Sequence, residues 1–141
     1  MAPVPIAKPG DWWLSAGTYI LRKGSGVVTG ADLIEGSRMV PDLLARYNRV
    51  NHALVDFTEV SRFEVSTREI NELSVHDKKF QELLPSLFMA IVAPEDMEFG
   101  MSRMYELLTT VPGWTVQVFR TLDEAIAWLA SAVPDLKTDL D

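Results

Sequence analysis

The sequence predicts an α/β domain: a small mixed, largely parallel β-sheet with helices packed on it, in the order ββαβαβαβα. Three observations carry that expectation. Strand-type and helix-type periodicities alternate along the chain. Two helix starts are marked by capping boxes, at Ser66 to Glu69 and at Thr121 to Glu124. The run Leu87 to Ala93 is apolar throughout, with no alternation, which is the pattern of a strand covered on both faces between helix layers.

Taken in order, Met1 to Gly10 is rich in proline and is expected to be a loose leader. Thr18 to Lys23 and Gly26 to Thr29 read as two short strands joined by a tight turn at Gly24-Ser25. In the helix that follows, Leu33, Val40, Leu43, Leu44 and Tyr47 share one face. Pro41 has no N–H to give residue 37, so a break or kink is expected there. His52 to Phe57 reads as the next strand.

Ser66 then opens a helix whose stripe is Ile70, Leu73, Phe80 and Leu84. Asp77 falls in the middle of that stripe. Either the helix breaks near residues 74 to 77, or this carboxylate is partly buried and needs a partner. Pro94 ends the apolar strand. A helix from about Met97 to Thr110 turns Met101, Met104, Tyr105, Leu108 and Val111 inward, and Pro112-Gly113 stops it. Thr115 to Arg120 is the last strand. The final helix buries Leu122, Ala125, Ile126, Leu129 and Val133, with Trp128 on its flank. The expected division is a leader over 1–16, the α/β domain over 17–133 and an acidic tail over 134–141.

Composition limits the function. The chain has 141 residues, enough for one domain with a core of its own. It carries 13 basic and 20 acidic side chains, a formal charge of −7, which repels a nucleic-acid backbone and an anionic membrane surface alike. There is no cysteine, so disulfides, thiolate metal sites and a cysteine nucleophile are excluded. No apolar run reaches the length of a membrane span, and the Pro-rich start does not read as a signal peptide. A cytoplasmic protein with no cofactor is the expectation.

Three stretches resemble the STAS family, the SpoIIAA-like anti-sigma-factor antagonists, across roughly Gly17 to Ala132. They are Leu54 to Thr67, Ala90 to Tyr105 and Val118 to Leu129. The resemblance implies a regulatory or protein-interaction module rather than an enzyme. In that family the strand of the first of these stretches leads through a short loop to a helix start bearing a Ser or Thr that a partner kinase phosphorylates. The matching positions here are Ser66 and Thr67, making them phosphoacceptor candidates. The family usually has Asp before its Ser pair and Gly after it, whereas this chain has Val65 and Arg68, in a loop that reads one residue longer.

Each candidate site has a plainer reading beside it. Phosphate on Ser66 or Thr67 would sit on a helix N-terminus, yet a capping box alone explains Ser66 and Glu69. Asp96, Gly100 and Arg103 follow the carboxyl end of the expected central strand, a common ligand position, and form a candidate ligand or anion loop. The plainer reading is a turn and an exposed arginine. His52 and His76 lack metal-type spacing and read as structural. Met89, Met97, Met101 and Met104 read as core filling, or as the lining of a small apolar-ligand cavity, which is the alternative function. An enzyme of unrecognised type using Arg103, Asp96 or His76 is the second alternative. Trp12-Trp13 either covers the sheet edge or packs on another subunit in a homodimer.

Overall fold

The computed structural model describes residues 4–7, 12–16, 19–46 and 50–133, the first two segments and residue 46 by their backbone. Ten elements follow one another: β1 (Val4–Ala7), β2 (Trp12–Ala16), β3 (Ile20–Thr29), α1 (Gly30–Arg46), β4 (His52–Glu64), α2 (Thr67–Lys78), β5 (Leu87–Val92), α3 (Asp96–Leu108), β6 (Trp114–Phe119) and α4 (Leu122–Ala132). The strands form one six-stranded sheet in sequence order. β1, β2 and β3 pair antiparallel, and β3 to β6 pair parallel. The fold class is thus the one expected, a mixed and largely parallel sheet with helices packed on it.

The alternation along the strands divides the core. Ala53, Val55, Phe57, Met89, Ile91 and Val116 face one way, into a cluster shared with Leu33, Val40, Leu43, Ile70, Leu73 and Tyr105. Leu54, Ala90 and Val92 face the other way, against Ala125 and Leu129 of α4. Three crossovers that step the same way along the sheet place α1, α2 and α3 on one face. The chain then returns beneath the sheet as α4. β5 lies between the two layers, which is why it needs no polar alternation.

The N-terminal third differs from the sequence expectation. Thr18–Lys23 and Gly26–Thr29 are not a hairpin: Ile20–Thr29 is one strand lying along β4. Gly24-Ser25-Gly26 marks register irregularities instead of a turn, with Gly26 at φ 75°. A parallel partner as long as β4 keeps β3 extended where local sequence favours reversal. The antiparallel part comes from segment 1–16, expected as a leader, which contributes β1 and β2. β4 extends to Glu64, beyond the expected end at Phe57.

α1 does not break at Pro41. Pro41 is exposed, while Val40, Leu43 and Leu44 are buried on either side of it, so packing outweighs one lost hydrogen bond. Phe80 and Leu84 reach the core from the turn after α2 rather than from the helix itself. Tyr47, the tail 134–141 and the side chains of Trp12 and Trp13 lie outside the described residues.

Candidate functional site

Asp77 is 1 % exposed and sits on the inner face of α2. Four elements meet at its carboxylate. Arg22 of β3 donates to it in a forked pair, Nη1 to Oδ2 at 3.0 Å and Nη2 to Oδ1 at 3.2 Å. Ser37 of α1 donates to Oδ1 at 2.5 Å, and the Tyr105 hydroxyl of α3 donates to Oδ2 at 2.6 Å. Of the two sequence alternatives for Asp77, the buried and partnered one is found.

Burial alone would lower the Arg22 pKa, but the Asp77 carboxylate, with Tyr105, outweighs it and raises it. Burial first, then the same carboxylate, pushes Tyr105 well above its ordinary value, so it stays a neutral donor. A carboxylate saturated by four donors has no free lone pair for acid–base or nucleophilic work. One turn along, Ser74 and Thr109 join α2 to α3 by a 2.9 Å hydroxyl contact. Sequence reading missed Arg22. Its signal was a charged residue in step with Ile20 on a strand, but its partner lies 55 residues away.

Beside this network is a cavity of about 30 Å³, lined in part by Arg22, Phe57, Phe63, Met89, Ser102 and Tyr105. That is room for a water molecule or two, against the several hundred Å³ of a typical ligand site. Met101 and Met104 pack against the core, and Met97 is 62 % exposed.

The loop candidates do not converge. Asp96 pairs with Arg120 at 2.8 Å; Arg120 also binds the Pro94 carbonyl and lies over the Phe99 ring. Arg103 pairs with Glu106 on its own helix at 2.9 Å. Gly100 faces open space, so no close backbone approach accounts for it. The side chain with unusual chemistry here is Glu98, which sequence reading did not single out. It is 3 % exposed, its Oε2 has no hydrogen-bond partner, and burial, helped by Glu95, raises its pKa to about 7. Its signal was the spacing Glu98, Ser102, Tyr105 along one helical face.

His52 stacks on Tyr19, contacts Asn51 through Nδ1 at 2.9 Å, and is held below its ordinary pKa by burial. His76 is half-buried on α2. Among the described residues no cluster of three or more His, Asp or Glu side chains is arranged for a metal ion, and no helix is long and apolar enough to cross a membrane.

Ser66 and Thr67 are both exposed at the start of α2. Ser66 accepts from the Glu69 N–H at 3.2 Å, and Glu69 accepts from the Ser66 N–H and hydroxyl at 3.0 Å, a complete capping box. The Glu69 carboxylate lies directly against Gly30, the first residue of α1, where any side chain would collide with it. α1 is capped in the same manner, with Thr29 and Asp32 bonded reciprocally at 3.2 Å. The two helix starts therefore stand side by side. From them a groove of about 510 Å³ runs between α1 and α2, lined by Asp32, Ile34, Glu35, Arg38, Glu69 and Glu72, with Ala31 at one end. Its cation, Arg38, is paired with Glu35 at 3.2 Å.

The sheet order, the three-and-one helix layers and the capped start of α2 define a SpoIIAA-like α/β fold. A solved structure with that fold, an uncharacterised DUF3478-family protein from Shewanella loihica PV-4, is similar to this chain. The TM-score is 0.50 and the identity 18 %, over 84 % of this chain and 91 % of that one. No family model matches the sequence. No curated protein matches it either. Similarity at this level establishes the fold and not the activity.

Proposed function

We propose that the chain is a non-enzymatic regulatory module that holds a basic segment of a partner protein in the groove between α1 and α2. The observation carrying this reading is the groove itself. Four carboxylates line it, Ile34 gives it an apolar wall, and exposed Ser66 and Thr67 stand at the start of one of its walls. Complementary charge would steer a basic partner and set its register. The interior polar groups support a structural rather than catalytic role, since the Asp77 carboxylate is occupied by protein donors.

Thr67 is the better phosphoacceptor of the pair, because the Ser66 hydroxyl is engaged with Glu69. Phosphate there adds roughly 1.5 to 2 negative charges near the groove and strengthens its hold on a basic partner. The cytoplasm, which suits a cysteine-free chain, is the compartment proposed for this encounter.

A photo-crosslinking residue placed at Glu35, and separately at Ser131 on α4 as a control, tests the reading in native lysate. A discrete adduct from position 35, absent from position 131 and lost in Asp32→Lys/Glu72→Lys, is expected. Equal labelling from both positions, or an adduct indifferent to the charge reversal, would reject the groove as the binding surface.

A further inference from the structure

The two ends of the sheet are built differently. β1 is four residues long, contains Pro5 and pairs irregularly between Pro5 and Ala7. Short length, proline and irregular register are the devices that stop an edge from recruiting another strand. β6, the opposite edge, has none of them. Trp114 to Phe119 carries no charge and no proline, keeps continuous register with β5, and among the described residues pairs with β5 alone.

Among the described residues, the hydrogen bonding shows which groups of β6 are not committed to β5. Leu87 donates to the Gly113 carbonyl at 2.9 Å and Ala93 to that of Phe119 at 2.8 Å. In a parallel ladder this parity commits Thr115, Gln117 and Phe119 to β5 and turns the N–H and C=O of Val116 and Val118 outward. The Trp114 N–H, outward like those of Val116 and Val118, is already taken by the Val111 carbonyl at 3.0 Å. Below the edge, half-buried Trp128 packs against Phe88 and Phe119, with ring centroids 6.2 and 5.7 Å apart.

We propose that β6 is a dimerisation edge whose occupant is β6 of a second copy of this chain, antiparallel about a two-fold axis at Gln117. The pattern is self-complementary. Val116 of each copy meets Val118 of the other as a hydrogen-bonded pair, and the two Gln117 side chains face each other across the axis. Charge favours the same place. A chain of net charge −7 repels its own copy, and β6 is an uncharged strip through which two such chains can meet. The product is one continuous twelve-stranded sheet, with the Trp128 aromatic clusters of both copies near the seam.

Sedimentation of the full chain from low-micromolar to sub-millimolar concentration tests this. The wild type is expected to approach twice the protomer mass and to dissociate on dilution. Gln117→Lys places two ammonium groups opposite each other at the axis and is expected to weaken association by about fivefold. Val118→Pro deletes an outward N–H that β5 does not use, and is expected to leave only protomers. Circular dichroism confirms that both variants remain folded. A wild type of protomer mass at every concentration overturns the proposal and leaves the edge to a strand of another protein or to the chain's own tail. A dimer that neither variant weakens overturns it as well, because association then uses a different surface.

Discussion

Asp77→Ala would leave the Arg22 guanidinium, 7 % exposed, with no counter-charge, and would strip the acceptor from Ser37 and Tyr105. Breaking a buried ion pair from one side costs about 4 kcal/mol. Two buried hydroxyls losing their acceptor add about 1 kcal/mol each. The sum of about 6 kcal/mol is comparable with the whole stability of many domains, about 5–15 kcal/mol. Removing both charges is different. In Arg22→Met/Asp77→Leu no buried charge is left unpaired, and a change within about 2 kcal/mol of wild type is expected. Urea unfolding followed by tryptophan fluorescence and circular dichroism reads both variants. Tyr105→Phe, expected to cost about 1–2 kcal/mol, supplies a measurable member of the series if Asp77→Ala does not fold. An Asp77→Ala loss below about 1 kcal/mol, or a double variant as damaged as the single one, would refute the view that this carboxylate joins four elements.

Three further substitutions bear on α3 and on the turn before β6, and a pH effect bears on His52 of β4. Folded Glu98 has a pKa of about 7 against an ordinary 4.5, so between those values the native state holds more proton than the unfolded state. Its contribution is therefore complete below pH 4.5 and falls as pH rises to 7, by about 3 kcal/mol at most. Glu98→Gln is expected to flatten that slope and to be the more stable protein at pH 8; parallel stability–pH curves for the two would contradict it. Buried His52, held low, acts in the opposite sense, losing stability as pH falls below 6.5. Gly100 is an exposed helical glycine with open space around it, so Gly100→Ala is expected to stabilise by about 1 kcal/mol. Gly113→Ala meets a φ of +86° and the Pro85 carbonyl, and is expected to destabilise by more than Gly100→Ala stabilises. Thermal melts of both glycine variants decide it.

The parts of the fold legible in the sequence were those with a local signature. The boxes at Ser66 and Thr121 marked two helix starts. The unbroken apolar run marked β5, and Asp77 stood out against its own stripe. Hidden features depend on partners remote in sequence. β3 looks like a hairpin until β4 is laid beside it, and Arg22 has no evident role until α2 brings Asp77 to it. The box at Thr29 and Asp32 went unread because its last residue is aspartate rather than glutamate. Among the candidates, Ser66 and Thr67 are where the chain pattern places them. Asp96 and Arg103 are neighbours in sequence with separate partners, and sequence spacing cannot distinguish that from a shared site.

The strand order has a consequence for how the chain is made. Since β1 to β6 lie in the sheet in the order of synthesis, each new strand docks on one already finished. No strand has to be held open for a later arrival. A growing chain can therefore extend its sheet as it leaves the ribosome. The exception is the buried arginine of β3, which waits for α2 to deliver its carboxylate and for α3 to supply the last hydroxyl. Until then an intermediate carries an unneutralised charge at the centre of its future core, and that helix face cannot close in a wrong register without trapping it there.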